Sequence, residues 1–270
     1  MRVSLVATCV VDILWPEVAV STVRLLRRLG CQVSFPEGQT CCGQPAFNAG
    51  YREEAARVAA CTLEALSGSE DEYVVTPSGS CAAMIRTVWP TLFADQPERQ
   101  AAARRLAGRT YELSEFLVKV LRVDLRALGA RFPATVAYHH SCHMTRELGV
   151  RSEPLILLDQ IEGLRRRPLE RADLCCGFGG TFSVKMPEVA EAMADDKLAD
   201  FEATGAEYLV GADAACLIHL QGRLRRLGKT ARVMHLAELL EQATRPGNAG
   251  GSAYDKRPAS SADPVKGGAR

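Results

Sequence analysis

The sequence predicts an α/β fold made of two pseudo-symmetric units, each with a mainly parallel sheet, arising from an internal duplication. Three observations carry that prediction. Eight of the ten cysteines fall into two superimposable sets: Cys9 maps onto Cys142, Cys41-Cys42-Gly43 onto Cys175-Cys176-Gly177, and Cys81 onto Cys216, at offsets of 133, 134, 134 and 135. At this composition a Cys-Cys-Gly triplet is expected only about 0.03 times by chance, so two copies in register mark a repeat. Short β-rich runs alternate with stretches whose apolar residues recur at helical spacing, which is the pattern of Rossmann-like sheets covered on both faces. Finally, 270 residues with 47% hydrophobic content are enough to fill two cores.

In the first unit, residues 2–8 read as a buried opening strand. Trp15-Pro16 opens a helix running to residue 29, with Pro16 suited to a first helical position and Gly30 to the stop. Residues 31–35 form a second short strand. After the Cys-Cys-Gly loop, 53–66 is a helix, 73–76 a third strand, and Cys81 lies near the start of another helix. The Ala- and Arg-rich stretch 90–109 is helical, and Ser114 is expected to cap a helix over 115–121. The second unit repeats this order: strand 135–139, helix 155–161, strand 171–174, helix 187–204, strands 207–210 and 232–234, and helix 236–243. The domains are therefore 1–130 and 131–243. Residues 244–270 turn to Gly, Pro, Ser and Ala and read as a disordered tail.

Charge and targeting features narrow the setting. With 33 basic and 32 acidic residues the formal charge is +1, and no bulk electrostatic argument favours nucleic acid or an anionic membrane. The apolar start lacks the cleavage pattern of an export signal, and no apolar run approaches the ~20 residues of a membrane span. The expected location is the cytoplasm, with membrane association only through partners. In such a reducing compartment, thiols stay reduced unless a metal holds them.

Cys9, Cys81, Cys142 and Cys216 fall just beyond the carboxyl ends of expected strands, where open α/β sheets bind ligands, and the Cys-Cys-Gly loops also follow strands. All eight cysteines can therefore converge on one edge of each sheet. Thiolates bind zinc or iron-sulfur clusters. Structural zinc sites usually use C-x-x-C hooks, which are absent here. Adjacent cysteines fit two corners of one small ion poorly, whereas a cluster offers a separate iron to each, so a cluster is favoured over zinc.

The pattern C-x31-C-C-G-x37-C followed by C-x32-C-C-G-x38-C resembles the cysteine-rich CCG domain, found twice in the cysteine-rich chain of heterodisulfide reductase and in iron-sulfur subunits of glycolate and glycerol-3-phosphate oxidation. The surroundings of Cys41-Cys42, of Cys175-Cys176 and of Gly211-Ala212-Asp213 look like its lactate-utilization branch. The resemblance spans about residues 1–243. It implies an electron-transfer subunit of an L-lactate oxidation complex. Cys9, Cys41, Cys42, Cys81, Cys142, Cys175, Cys176 and Cys216 would ligate one or two iron-sulfur clusters, of 4Fe-4S type. Other subunits of the complex would be the partners, so the chain reads as a redox subunit of an L-lactate dehydrogenase complex rather than a complete enzyme. The alternative is a heterodisulfide-reductase-like or glycolate oxidase iron-sulfur subunit with cluster-based redox chemistry. A zinc-stabilised interaction protein is a third reading. One feature departs from the general pattern: Ser78 and Asp213 stand where each half would carry a fifth cysteine, so either is a candidate to offer oxygen to an iron.

Other residues admit plainer readings. Cys31 and Cys61 have no repeat partner and are expected to pack in the core. His139, His140 and His143 flank Cys142 as ligand or proton-carrier candidates, His139 the best of them. Gly43, Gly177, Gly179 and Gly180 permit positive φ and close backbone approach to a cofactor. Gly177-Phe178-Gly179-Gly180 lacks the residues of a phosphate loop, and Arg165-Arg166-Arg167 reads as a solvated turn.

Overall fold

A computed structural model describes residues 1–247. The expected tail at 244–270 lies, beyond Gly247, outside the described residues. Thr244 is buried and takes a hydrogen bond of 2.6 Å from Arg28.

The first sheet is built from β1 (Arg2–Leu5), β2 (Gln32–Ser34), β3 (Tyr73–Thr76) and β4 (Thr110–Glu112), all parallel, in the order β2-β1-β3-β4. Its helices are α1 (Cys9–Leu14), α2 (Pro16–Arg28), α3 (Gln44–Asn48), α4 (Arg52–Ser67), α5 (Gly79–Ala83), α6 (Trp89–Leu92), α7 (Pro97–Ala107) and α8 (Leu113–Glu115). Pro16 and Pro97 sit in first turns, where a missing N–H costs nothing. Two π-helical turns, Met84–Val88 and Phe116–Val120, extend α5 and α8.

The second sheet repeats the plan with β5 (Arg131–His139), β6 (Glu162–Arg166), β7 (Tyr208–Gly211) and β8 (Arg232–His235), again parallel, in the order β6-β5-β7-β8. Its helices are α9 (Cys142–Arg146), α10 (Glu153–Leu158), α11 (Phe182–Lys185), α12 (Pro187–Ala203), α13 (Ala214–Arg226) and α14 (Leu236–Ala243). Even the register is repeated: Val3 pairs with Tyr73 in the first sheet, and Val136 with Tyr208 in the second.

Alternation along the central strands separates three apolar layers. Val75, Val136 and Val210 turn to an inner layer shared by both sheets, filled by Leu25 and Leu26 of α2 and Leu239 and Leu240 of α14. Val74 turns outward to Leu63, Trp89 and Phe93, and Leu209 to Leu198, Phe201 and Leu217. The inner layer joins the units through helix packing rather than a continuous sheet. Among the described residues, no helix is long and apolar enough to cross a membrane.

Three local expectations are corrected. Residues 171–174 are a turn, not a strand, because Asp200 accepts from Glu170 N and Arg171 N at 3.0 Å each and curls the chain. Arg165 and Arg166, expected in a solvated turn, lie instead in β6, the second strand of that unit. As a largely exposed edge strand it carries polar residues and shows no apolar alternation. Ser114 is not the cap of the helix after β4: Glu112 is, accepting from Ser114 N at 2.7 Å and Glu115 N at 3.3 Å.

Candidate metal centres

In both sheets the strand order reverses direction beside the first strand, and such a switch point opens a crevice at the carboxyl edge. The eight repeated cysteines lie there. Cys9 is the first residue of α1, where Thr8 caps the helix by accepting from Val11 N at 3.3 Å. Cys81 is in the first turn of α5, capped by Ser78, which accepts from Cys81 N at 3.3 Å. Cys41 and Cys42 approach from the loop before α3, whose turn needs Gly43 at φ 88°; a Cβ there would sit 2.6 Å from Ala55 O. The result is a cluster of four sulfurs in which Cys9 Sγ and Cys41 Sγ are 3.5 Å apart, as are Cys42 Sγ and Cys81 Sγ. Buried Trp89 donates to Cys42 O at 2.9 Å and fixes the loop from behind.

The second set is assembled in the same way. Cys142 opens α9, Cys216 lies in the first turn of α13, and Cys175-Cys176 precede Gly177 at φ 87°, where a Cβ would meet Ala190 O at 2.5 Å. Gly177 N donates to Cys175 Sγ at 3.4 Å and Phe178 N to Cys176 Sγ at 3.5 Å, the backbone donors expected around a cofactor's sulfurs. Loop tethers also correspond. In α4, Thr62 accepts from Thr40 N at 2.8 Å; at the matching place in α12, buried Lys197 donates to Ala172 O at 3.0 Å and Arg171 O at 3.3 Å.

Electrostatics within each set are those of crowded thiols. Cys41 is pulled down to about 3, chiefly by the hydrogen bond from Cys42 and then that from Cys9. Cys175 falls likewise, held by Cys142 and Cys176. Their donors Cys9, Cys42, Cys142 and Cys176 are pushed up, first by those same hydrogen bonds to a thiolate. Each set therefore favours one thiolate among neighbouring S–H donors. Cation binding would deprotonate ligating thiols, so the donor sets fit a thiolate-ligated metal group.

The structure brings together all eight predicted cysteines, four at each centre. Cys31 is buried in the inner core as expected. Cys61 is not: it is exposed, because α4 turns Ala55, Ala59, Leu63 and Leu66 inward and position 61 faces away. His139 is 1% exposed at the end of β5, and a ring nitrogen lies within 4.8 Å of the sulfurs of Cys176 and Cys216. Burial pulls its basicity down to about 3. His143 Nδ1 is 3.5 Å from Cys142 Sγ, while the His140 ring stacks edge-on with Tyr138 at 5.0 Å.

Ser78 and Asp213 meet each other. Asp213 Oδ1 accepts from Ser78 Oγ at 2.7 Å, Ser80 Oγ at 2.7 Å and Ser80 N at 3.1 Å, across the junction between the units. Gly79 lies so close to Met144 that a Cβ would be 2.5 Å from its Cβ, and Gly180 is packed on Pro45 at 3.4 Å by the same measure. A pocket of about 40 Å³ beside the first centre is consequently lined by Cys9, Cys41, Cys42 and Cys81 from one unit and Phe178 and Gly180 from the other.

Sequence reasoning missed two buried residues at this junction, Glu112 and His235, which end β4 and β8 at matching positions and cap the helices that follow. Burial pushes Glu112 up to about 8, with the charge of Asp213 adding to the rise, and pulls His235 down to about 4. The only signal available was a polar residue closing a strand before a helix.

Comparison with known proteins agrees with the duplication. The family model of the CCG cysteine-rich domain matches residues 3–86 and again 136–221. Lactate utilization protein A of Geobacillus kaustophilus (strain HTA426) is 52% identical over 240 residues, covering 89% of this chain and 98% of that protein. The protein of that name from Bacillus subtilis (strain 168) is 50% identical over 240 residues, covering 89% of this chain and 99% of the relative. Among solved structures, a hypothetical protein from Helicobacter pylori superposes with a TM-score of 0.66 at 9% identity, over 92% of this chain and 49% of that one. That likeness concerns the fold alone, and this chain spans about half of that structure's length.

Proposed function

Because this chain belongs to the CCG cysteine-rich domain family, we propose that it is an iron-sulfur electron-transfer subunit serving lactate utilization, the process named for its relatives. The observation that supports this reading best is the convergence of Cys9, Cys41, Cys42 and Cys81, and of Cys142, Cys175, Cys176 and Cys216, on the ligand-binding edges of two parallel sheets. These residues would hold a 4Fe-4S cluster at one or both centres, and the bound cluster would supply reversible one-electron chemistry. The protein's share is to present thiolates, keep water from Cys42, Cys81 and Cys176, and aim backbone N–H groups at sulfur. Substrate oxidation falls to partner subunits of the lactate-oxidising system. A disulfide-cleaving role gains no support at Ser78 and Asp213, whose side chains bond to each other.

The test is anaerobic reconstitution of the full chain with iron and sulfide analysis. Cys42→Ala and Cys176→Ala should each remove one centre's iron, while Cys31→Ser and Cys61→Ser should leave the content unchanged. A chain that takes up no iron yet supports lactate oxidation would falsify the proposal, as would stoichiometric zinc without sulfide in anaerobically prepared protein.

A further inference from the structure

The two centres share their cysteines but not their surroundings. Cys9 and Cys142 correspond at an offset of 133, which places His139 opposite Val6. Val6 is buried in the apolar cluster that contains Cys42 and Cys81. His139 occupies the same place beside Cys176 and Cys216, is 1% exposed, and has neither ring nitrogen paired. A buried imidazole with both nitrogens unpartnered is costly, and such groups call for a ligand. The neighbouring strand also accommodates it. The residue paired with His139 is Gly211, where a Cβ would come within 3.6 Å of His139 Cβ and 3.1 Å of Leu217 Cδ2. The corresponding residue in the first unit is Thr76.

We propose that His139 supplies an imidazole nitrogen to the metal of the second centre, making it a mixed thiolate–imidazole site, whereas the first centre is ligated by thiolates alone. The proposal rests on the cluster reading above. The geometric basis is the ring nitrogen within 4.8 Å of two cysteine sulfurs, a spread that one metal-bearing group can bridge. Imidazole is a common iron ligand.

The full chain, reconstituted anaerobically and reduced, should be examined by pulsed electron paramagnetic resonance with natural-abundance and 15N-histidine protein. The expected result is a strong histidine-nitrogen coupling that changes with the isotope. It should vanish in His139→Val with four cysteines still holding iron, and persist in His140→Ala and His143→Ala. Iron-loaded wild-type protein without histidine coupling overturns this proposal alone, as does coupling that survives His139→Val. If the variant fails to fold, the isotope comparison on wild-type protein together with the other two variants still decides. A chain that binds no iron overturns the cluster reading itself.

Discussion

Replacing Glu112 with Gln isolates the electrostatics of the junction between the units. Glu112 is fully buried; Oε2 caps α8 through Ser114 and Glu115, while Oε1 has no partner. Burial, with the nearby Asp213 charge, raises its proton affinity from 4.5 to about 8. Between those values the folded chain keeps a proton that the unfolded chain releases, so stability falls as pH rises across that window and levels off above it. At about 1.4 kcal/mol per pH unit, the full gap sets an upper figure of about 5 kcal/mol. Gln keeps an oxygen to accept the cap's hydrogen bonds and puts an amide where the protonated oxygen sits, without the ionisation. Denaturant unfolding of the two proteins from pH 4.5 to 9 should show near-equal stability at the acid end and a growing advantage for Gln toward pH 8. His235, pulled down to about 4, gives the opposite slope below pH 6.5, but it is common to both proteins and largely cancels in the difference. A difference that does not change with pH would refute the argument that Glu112 is held as the neutral acid.

Substitutions at four further positions probe the frame around the cysteines. Gly43→Ala and Gly177→Ala each force a side chain into a left-handed turn and against a carbonyl oxygen at 2.6 and 2.5 Å, so each should cost at least about 2 kcal/mol by equilibrium unfolding, with similar losses in both units. Asp213→Ala strands three donors at the junction and should cost about 2–4 kcal/mol, while Asp213→Asn, which keeps an acceptor, should recover much of that in the same assay. Lys197→Met removes the donor to Arg171 O and Ala172 O, should cost about 1–3 kcal/mol, and should lower iron retention selectively at the second centre, as measured by iron content after gel filtration.

The duplication was legible because cysteine is rare and its spacing is rigid: the offsets that aligned the two sets also align Val3 with Val136 in the observed registers. Central strands such as β3 and β7 were legible for a different reason, since burial on both faces demands the apolar runs that the sequence shows. Edge strands escape that demand. β6 carries Glu162, Arg165 and Arg166 because only one of its edges is paired and its faces meet water. Cys61 was misplaced because cysteine is often buried while α4 already fills its inward face with alanine and leucine. The Ser78–Asp213 contact was hidden for a stronger reason. It joins residues 135 apart whose helices meet only when the two units pack, so no local pattern encodes it.

That contact also explains how two near-copies can be joined without being identical. Ser78 and Asp213 hold equivalent positions before α5 and α13. Ser78 caps its own helix, but Asp213 makes no cap bond to its own helix and reaches across to Ser78 and Ser80. Two carboxylates facing one another there would repel, and a pair of thiols would offer only weak bonds. A hydroxyl and a carboxylate are complementary, and a hydrogen bond to a charged acceptor is the stronger kind. Because these residues begin the turns that carry Cys81 and Cys216, the bond ties one cysteine of each centre to a common frame. Symmetry is thus broken at positions 78 and 213 to join the units, and at positions 6 and 139 to make their centres chemically distinct.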